Sequence, residues 1–173
     1  MKENEVILKR QSTRIFFKNG DTDFFFNWLL GIGEVFGFSH GELYYLAQEL
    51  GKSPKPDKWK NVFLSHGNYL EQKVSHSGLS EQTKAQYYLA QTYSLRSAIQ
   101  FINPFSDEYL PTVHKMETAF SNAIQSLGAP VEELSIHYQD SYLPGYYLHS
   151  GNHCPTLMMV GGGDTYREDL FYF

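Results

Sequence analysis

Pro155-Thr156-Leu157-Met158-Met159-Val160-Gly161-Gly162-Gly163-Asp164-Thr165-Tyr166-Arg167-Glu168-Asp169 is a short apolar run, a glycine turn and the polar opening of a helix. Apolar residues without alternation, Leu157 to Val160, predict a strand buried on both faces, which belongs inside a parallel sheet and not at its edge. The sequence ends at Phe173 and holds no later residues for neighbouring parallel strands. It therefore reads as the front of a larger protein, closing just after the first strands of an α/β sheet.

Upstream of this run the pattern alternates. Leu134-Ser135-Ile136-His137-Tyr138 and Tyr146-Tyr147-Leu148-His149 read as two strands of a hairpin, with Leu143-Pro144-Gly145 as its turn and Ser150-Gly151-Asn152 as a second turn. Residues 1–128 have a different grammar, that of about five helices. Phe24, Phe25, Trp28, Leu29, Ile32 and Phe36 recur at helical spacing over 23–36, weakened by Gly31 and Gly33. A second helix over 39–50 opens on a capping box, Ser39 with Glu42, and stops at Gly51. The third runs over 57–74 and the fourth over 80–102, where Ala85, Tyr88, Leu89, Tyr93, Leu95, Ala98 and Phe101 form an apolar stripe. The fifth covers 107–127, with Pro111 in its first turns and Gly128 and Pro130 closing it. Ile15-Phe16-Phe17 is a short strand or a docked arm.

The bulk numbers narrow the class. With 173 residues the chain holds one domain, or one and part of another. Nineteen acidic against 14 basic residues, net −5, argue against nucleic acid, which needs a basic face. Aromatics reach 16%, with 13 Tyr and 13 Phe, so broad aromatic surface is buried or offered to an apolar ligand. One cysteine, Cys154, excludes an internal disulfide. Met1-Lys2-Glu3-Asn4-Glu5 has no apolar signal-peptide core and no run approaches a membrane span. The expectation is a cytoplasmic protein.

The glycine turn is the strongest chemical signal. A strand ending in glycines and leading into a helix aims backbone N–H groups at one point, where they stabilise an oxyanion or a phosphate. The spacing does not match the G-x-G-x-x-G phosphate loop. Gly37-Phe38-Ser39-His40-Gly41 fits the G-x-S-x-G nucleophile pattern. That pattern needs a strand before the serine, whereas Glu34-Val35-Phe36 ends a helix, and the capping box already explains Ser39. His149, His153 and Cys154 come nearest to metal-ligand spacing but lack a fourth ligand. Tyr-Tyr-Leu-Ala-Gln occurs at 44–48 and again at 87–91, the mark of a possible helical-repeat interaction module.

Gly161-Gly162-Gly163-Asp164-Thr165-Tyr166-Arg167-Glu168, with Ala85-Gln86-Tyr87-Tyr88-Leu89-Ala90 in the aromatic helical part, resembles α/β-hydrolases of the dihydroxypseudooxynicotine hydrolase and fermentation–respiration-switch esterase type, a group that includes acylaminoacyl-peptidase-like proteins. The resemblance implies a mainly α-helical cap over residues 1–128, then a β-hairpin and the first strands of an α/β-hydrolase sheet over 131–173. It implies a serine hydrolase acting on an ester, amide or activated C–C bond next to a carbonyl, with nucleophile, Asp and His all lying beyond Phe173. Of the family's working parts, only the oxyanion turn carries over, to the backbone N–H groups of Gly162, Gly163 and Asp164. No metal or cofactor is implied. The expected substrate is a small or medium apolar acyl compound, the expected assembly a homo-oligomer, and this chain alone is expected to be inactive. Aromatic helices form the walls of such a cap, and Phe24, Phe25, Trp28, Tyr44, Tyr45, Tyr87 and Tyr88 are the residues expected to face the turn. The helical-repeat module without activity, and a compact hydrolase using Ser39, are the alternatives.

Overall fold

The computed structural model describes residues 15–151 and 153–172; the reading of the first residues, Met1 to Glu5, lies outside them. Five helices come first: α1 (Gly20–Ile32), α2 (His40–Leu50), α3 (Pro56–Val74), α4 (Glu81–Ile99) and α5 (Tyr109–Leu127). An antiparallel hairpin, β1 (Val131–Tyr138) and β2 (Ser141–Leu148), follows, and a six-residue 3-10 helix, Arg167–Tyr172, closes the described chain. This is the helical region and hairpin expected from the sequence.

Local chemistry sets the helix ends. Asn19 caps α1 by accepting from the amides of Asp21 and Thr22. Ser39 caps α2 in a complete capping box: its Oγ accepts from the Glu42 amide at 3.1 Å while Glu42 Oε2 accepts from the Ser39 amide at 3.1 Å. Pro56 opens α3, where no amide partner is needed. Gly128 ends α5 in the left-handed conformation, φ 61°. The first helix stops at Ile32, short of the Phe36 expected. Residues 33–37 turn sharply so that Gly37, φ 77°, can lie against α4, where a Cβ would run into the carbonyl oxygen of Gln86.

The fourth helix is the centre of the domain, packed between α3 and α5. The sequence stripe gave it one apolar face, yet every residue from Ala90 to Ile99 is buried. Its hydroxyls make this possible by donating one turn back: Thr92 to Tyr88 O at 2.8 Å, Ser94 to Ala90 O at 2.8 Å and Ser97 to Tyr93 O at 2.6 Å. Trp59 of α3 donates from its indole to Ser97 O at 3.0 Å, tying the two helices together. Phe26, Leu29, Phe36, Phe38, Phe63 and Tyr93 complete the main core around it.

The segment Ile15-Phe16-Phe17 is a docked arm. Three successive amides, of Ile15, Phe16 and Phe17, donate to the buried Asp23 carboxylate at 3.2, 2.7 and 2.9 Å. Burial pushes the Asp23 carboxyl upwards, but the three amides and Asn27 outweigh it and hold the group below its ordinary value.

Two expectations are corrected downstream. The hairpin turns at Gln139-Asp140 and not at Leu143-Pro144-Gly145, because Tyr138 pairs with Ser141 and Gly145 pairs with Leu134 inside the ladder. Gln139 carries the positive φ, 51°. Pro144 is tolerated because each strand of a two-stranded sheet keeps one unpaired edge. Residues 156–160 form no strand, and Leu157, Met158 and Val160 are more than 80% exposed. A strand needs neighbours for its amides and carbonyls, and β1 and β2 pair only with each other among the described residues. No helix among the described residues is long and apolar enough to cross a membrane.

Candidate functional site

A cleft of about 830 Å³ opens where α1 meets the glycine turn. Phe24, Phe25, Trp28 and Ile32 of α1 form one wall, and Tyr93 and Arg96 of α4 form the floor. The opposite wall is the segment Met159 to Gly162 with Asp164, Thr165 and Asp169. Of the seven aromatics expected to face the turn, Phe24, Phe25 and Trp28 do so. Tyr44 and Tyr45 are exposed on α2, and Tyr87 and Tyr88 are half-buried and outside the lining.

Of the expected oxyanion residues, Gly162 and Asp164 line the cleft, whereas Gly163 is exposed and lies outside the lining. Gly161 lines it as well, and must be glycine: a Cβ there would lie 2.7 Å from Thr165 Cβ. The turn is closed by the Thr165 amide donating to Gly162 O at 3.1 Å. The amides of Gly162, Gly163 and Asp164 have no acceptor among the described residues.

Beneath the turn lies a buried polar knot. Arg96 donates from Nε to Asp169 Oδ2 at 3.1 Å, from Nη1 to Gln100 Oε1 at 3.1 Å and from Nη2 to the backbone oxygen of Asp164 at 2.6 Å. Tyr93 Oη donates to Asp169 Oδ1 at 3.0 Å, and the Tyr166 amide donates to Asp169 Oδ2 at 3.0 Å. The guanidinium also lies 4.6 Å from the Tyr166 ring centre and 5.5 Å from that of Trp28. Burial first, then the Asp169 charge, raises the Tyr93 hydroxyl far above its ordinary value, so it stays a neutral donor.

A second knot holds the other side of the 3-10 helix. Glu168 Oε1 accepts from Tyr146 Oη of β2 and from Arg167 Nε, both at 2.8 Å. Arg167 Nη2 reaches Glu117 Oε1 of α5 at 2.8 Å. Burial, reinforced by Glu168, pushes the Tyr146 hydroxyl upwards. Phe171 packs edge to face on both Phe120 and Tyr146 beside it, and those two rings tilt against each other.

Ser39 is exposed and committed to its capping box. The histidine near that box, His66, makes a different contact. Its Nδ1 lies 2.8 Å from Ser94 Oγ and its Nε2 3.6 Å from Glu42 Oε1, an order that resembles a catalytic triad. Ser94 is fully buried on α4 and gives its proton to Ala90 O, so it has neither the access nor the free hydroxyl of a nucleophile. The His66 contact, ahead of the opposing effect of burial and the Ser39 bonds, holds the Glu42 carboxyl below its ordinary value. His149 pairs with Glu132 at 3.2 Å, and Cys154 is exposed. Among the described residues no group of three or more His, Cys, Asp or Glu could hold a metal ion.

The functional residues missed by sequence reasoning are Arg96, Tyr93 and Asp169. A signal existed: an arginine in the middle of an otherwise uncharged stretch of a core helix needs a buried carboxylate.

No family model matches the chain. It is 28% identical to "Alpha/beta hydrolase psoB" of Aspergillus fumigatus over 171 residues, which is 90% of this chain and 38% of that protein. It is 29% identical to "Alpha/beta hydrolase ucsC" of an Acremonium species over 148 residues, 72% of this chain and 30% of that protein. It is 26% identical to "Hydrolyase ccsE" of Aspergillus clavatus over 140 residues, 70% of this chain and 32% of that protein. The chain thus spans well under half the length of the curated relatives it matches, and across most of its own length it is similar to two proteins named as α/β hydrolases.

Proposed function

We propose that this chain is the helical cap and oxyanion turn of a serine hydrolase of the α/β type. Residues 1–128 are the cap, and residues 131–173 begin the catalytic domain. The observation that carries this reading is the cleft in which aromatic side chains of α1 face the glycine turn across a floor of Tyr93 and Arg96. Such walls exclude water and receive an apolar acyl group.

Hydrolysis requires a nucleophile, a base and donors for the developing oxyanion. The described residues provide donors in the amides of Gly162 and Asp164 at the cleft, with that of Gly163 beside it, and no accessible serine held by a histidine. On this reading the nucleophile and base come from outside this chain. The bond cleaved is an ester, amide or activated C–C bond next to a carbonyl, in a small or medium apolar acyl compound. The resemblance to dihydroxypseudooxynicotine hydrolase, the fermentation–respiration-switch esterase and acylaminoacyl-peptidase-like proteins supports that bond class. The assembly is a homo-oligomer.

The test is a fluorophosphonate probe read by intact mass. The chain is expected to remain unlabelled. Labelling that disappears in Ser39→Ala would overturn the cap reading in favour of a compact hydrolase. In a longer reading frame that carries this chain, labelling at a serine outside residues 1–173 is the expected result.

A further inference from the structure

We infer that the cleft takes an uncharged carbonyl compound bearing an aromatic ring and rejects the corresponding carboxylate; the carbonyl part of this inference rests on the cap-and-turn reading. Charge comes first. Among the described residues the lining holds one cation, Arg96, and two carboxylates, Asp164 and Asp169. The Arg96 side chain is 6% exposed and ion-paired with Asp169 at 3.1 Å, and its Nη1 and Nη2 are also engaged. The Asp164 carboxylate has no hydrogen-bond or ionic partner among the described residues. Among the described residues an entering anion meets an unpaired negative charge and no unpaired positive one, a combination that disfavours it.

The shape of the walls supplies the second half. Phe24 and Phe25 stand edge to face with centres 5.6 Å apart and Trp28 tilts over Tyr93 at 6.0 Å, backed by the buried stack of Phe36 on Tyr93. Rings held at several angles give an incoming ring both offset and edge contacts, which a saturated ring cannot reproduce. A volume of about 830 Å³ admits a two-ring ligand.

Three matched probes separate charge from aromaticity: methyl 2-naphthoate, 2-naphthoate, and the methyl ester of the fully saturated bicyclic acid. The readout is the indole N–H resonance of Trp28 in the cleft, assigned with Trp28→Phe. Trp59, buried and bonded to Ser97, is the internal reference. Methyl 2-naphthoate is expected to move Trp28 and leave Trp59 in place. The free acid is expected to bind ~10-fold more weakly or worse, and Asp164→Asn to narrow that gap ~3-fold. The saturated ester is expected to bind ~3-fold more weakly than the aromatic one. Equal or tighter binding of 2-naphthoate, equal binding of the saturated ester, or an unmoved Trp28 with all three would each overturn the inference. None of these measurements needs turnover. A label on Ser39 would remove the hydrolase-cap reading and leave the ligand comparison intact, and the reverse holds for equal binding.

Discussion

Arg96 Nη2 donates to the backbone oxygen of Asp164 at 2.6 Å across 68 residues of sequence. The same guanidinium is paired with Asp169, so one side chain of the central helix fixes both ends of the loop that follows the glycine turn. Removing either member of the Arg96–Asp169 pair strands a buried charge.

Asp169→Ala is expected to cost about 3–5 kcal/mol, because Arg96 is left buried and unpaired and Tyr93 loses its acceptor. Urea denaturation measures the loss. Arg96→Met combined with Asp169→Leu should recover most of it, since an apolar replacement leaves no orphaned charge. In the double variant, exchange of the Thr165 amide, which is bonded to Gly162 O, should still be faster than in the parent, because the Asp164 carbonyl has lost its donor.

Acid sensitivity should centre on Asp23. Its folded pKa lies below the unfolded value of about 3.9. The stability it contributes is full above that unfolded value and is lost as pH falls through the folded one. Stability measured from pH 6 down to pH 2 should fall less steeply in Asp23→Asn than in the parent. An unchanged slope would mean that the arm 15–17 is not held by this carboxylate. Glu42, also lowered, contributes with the same sign.

Two glycines with positive φ should respond differently to alanine. Gly128, φ 61°, has no atom within 4 Å of an added Cβ, so Gly128→Ala should cost only the left-handed strain, about 1–2 kcal/mol. Gly37→Ala adds a clash with the Gln86 carbonyl on α4 and should cost clearly more. Denaturation midpoints of the pair decide; equal losses would mean that the 33–37 turn can shift away from α4.

Ser39→Ala should lower stability by about 0.5–2 kcal/mol through loss of the capping box. Reactivity towards a fluorophosphonate should be unchanged. Thermal unfolding and intact mass on the same two samples separate a cap from a nucleophile.

The exposed run Leu157, Met158 and Val160 should make the isolated chain self-associate. Light scattering at rising concentration should show mass above that of the monomer, and Leu157→Ser with Val160→Ser should reduce it. A monomer at high concentration in the parent would count against this.

Helix boundaries were legible where the signal is local: Ser39 with Glu42, Gly51 and Gly128 all act within a few residues. The hairpin turn was misplaced because Pro144 and Gly145 are strong local turn formers. Pairing of Glu133 with Tyr146 and Leu134 with Gly145 carries the ladder past them to Gln139. The burial of α4 on every side was hidden by its own hydroxyls, which look polar in sequence and are silent once bonded to carbonyls one turn back. The glycine turn was visible as a motif, but its partners were not, since no local pattern connects Arg96 to residue 169. The strand expected at 157–160 failed for a related reason: an apolar run specifies burial only when something else arrives to cover it.

The 3-10 helix Arg167–Tyr172 turns by about a third of a revolution per residue. Glu168 and Asp169, adjacent in sequence, therefore point to different parts of the molecule, one towards the hairpin, the other towards α4. The segment works like a key cut on two sides. Inserting or deleting a single residue before Glu168 would rotate both carboxylates out of their locks together. Length constrains this stretch of chain as much as composition does.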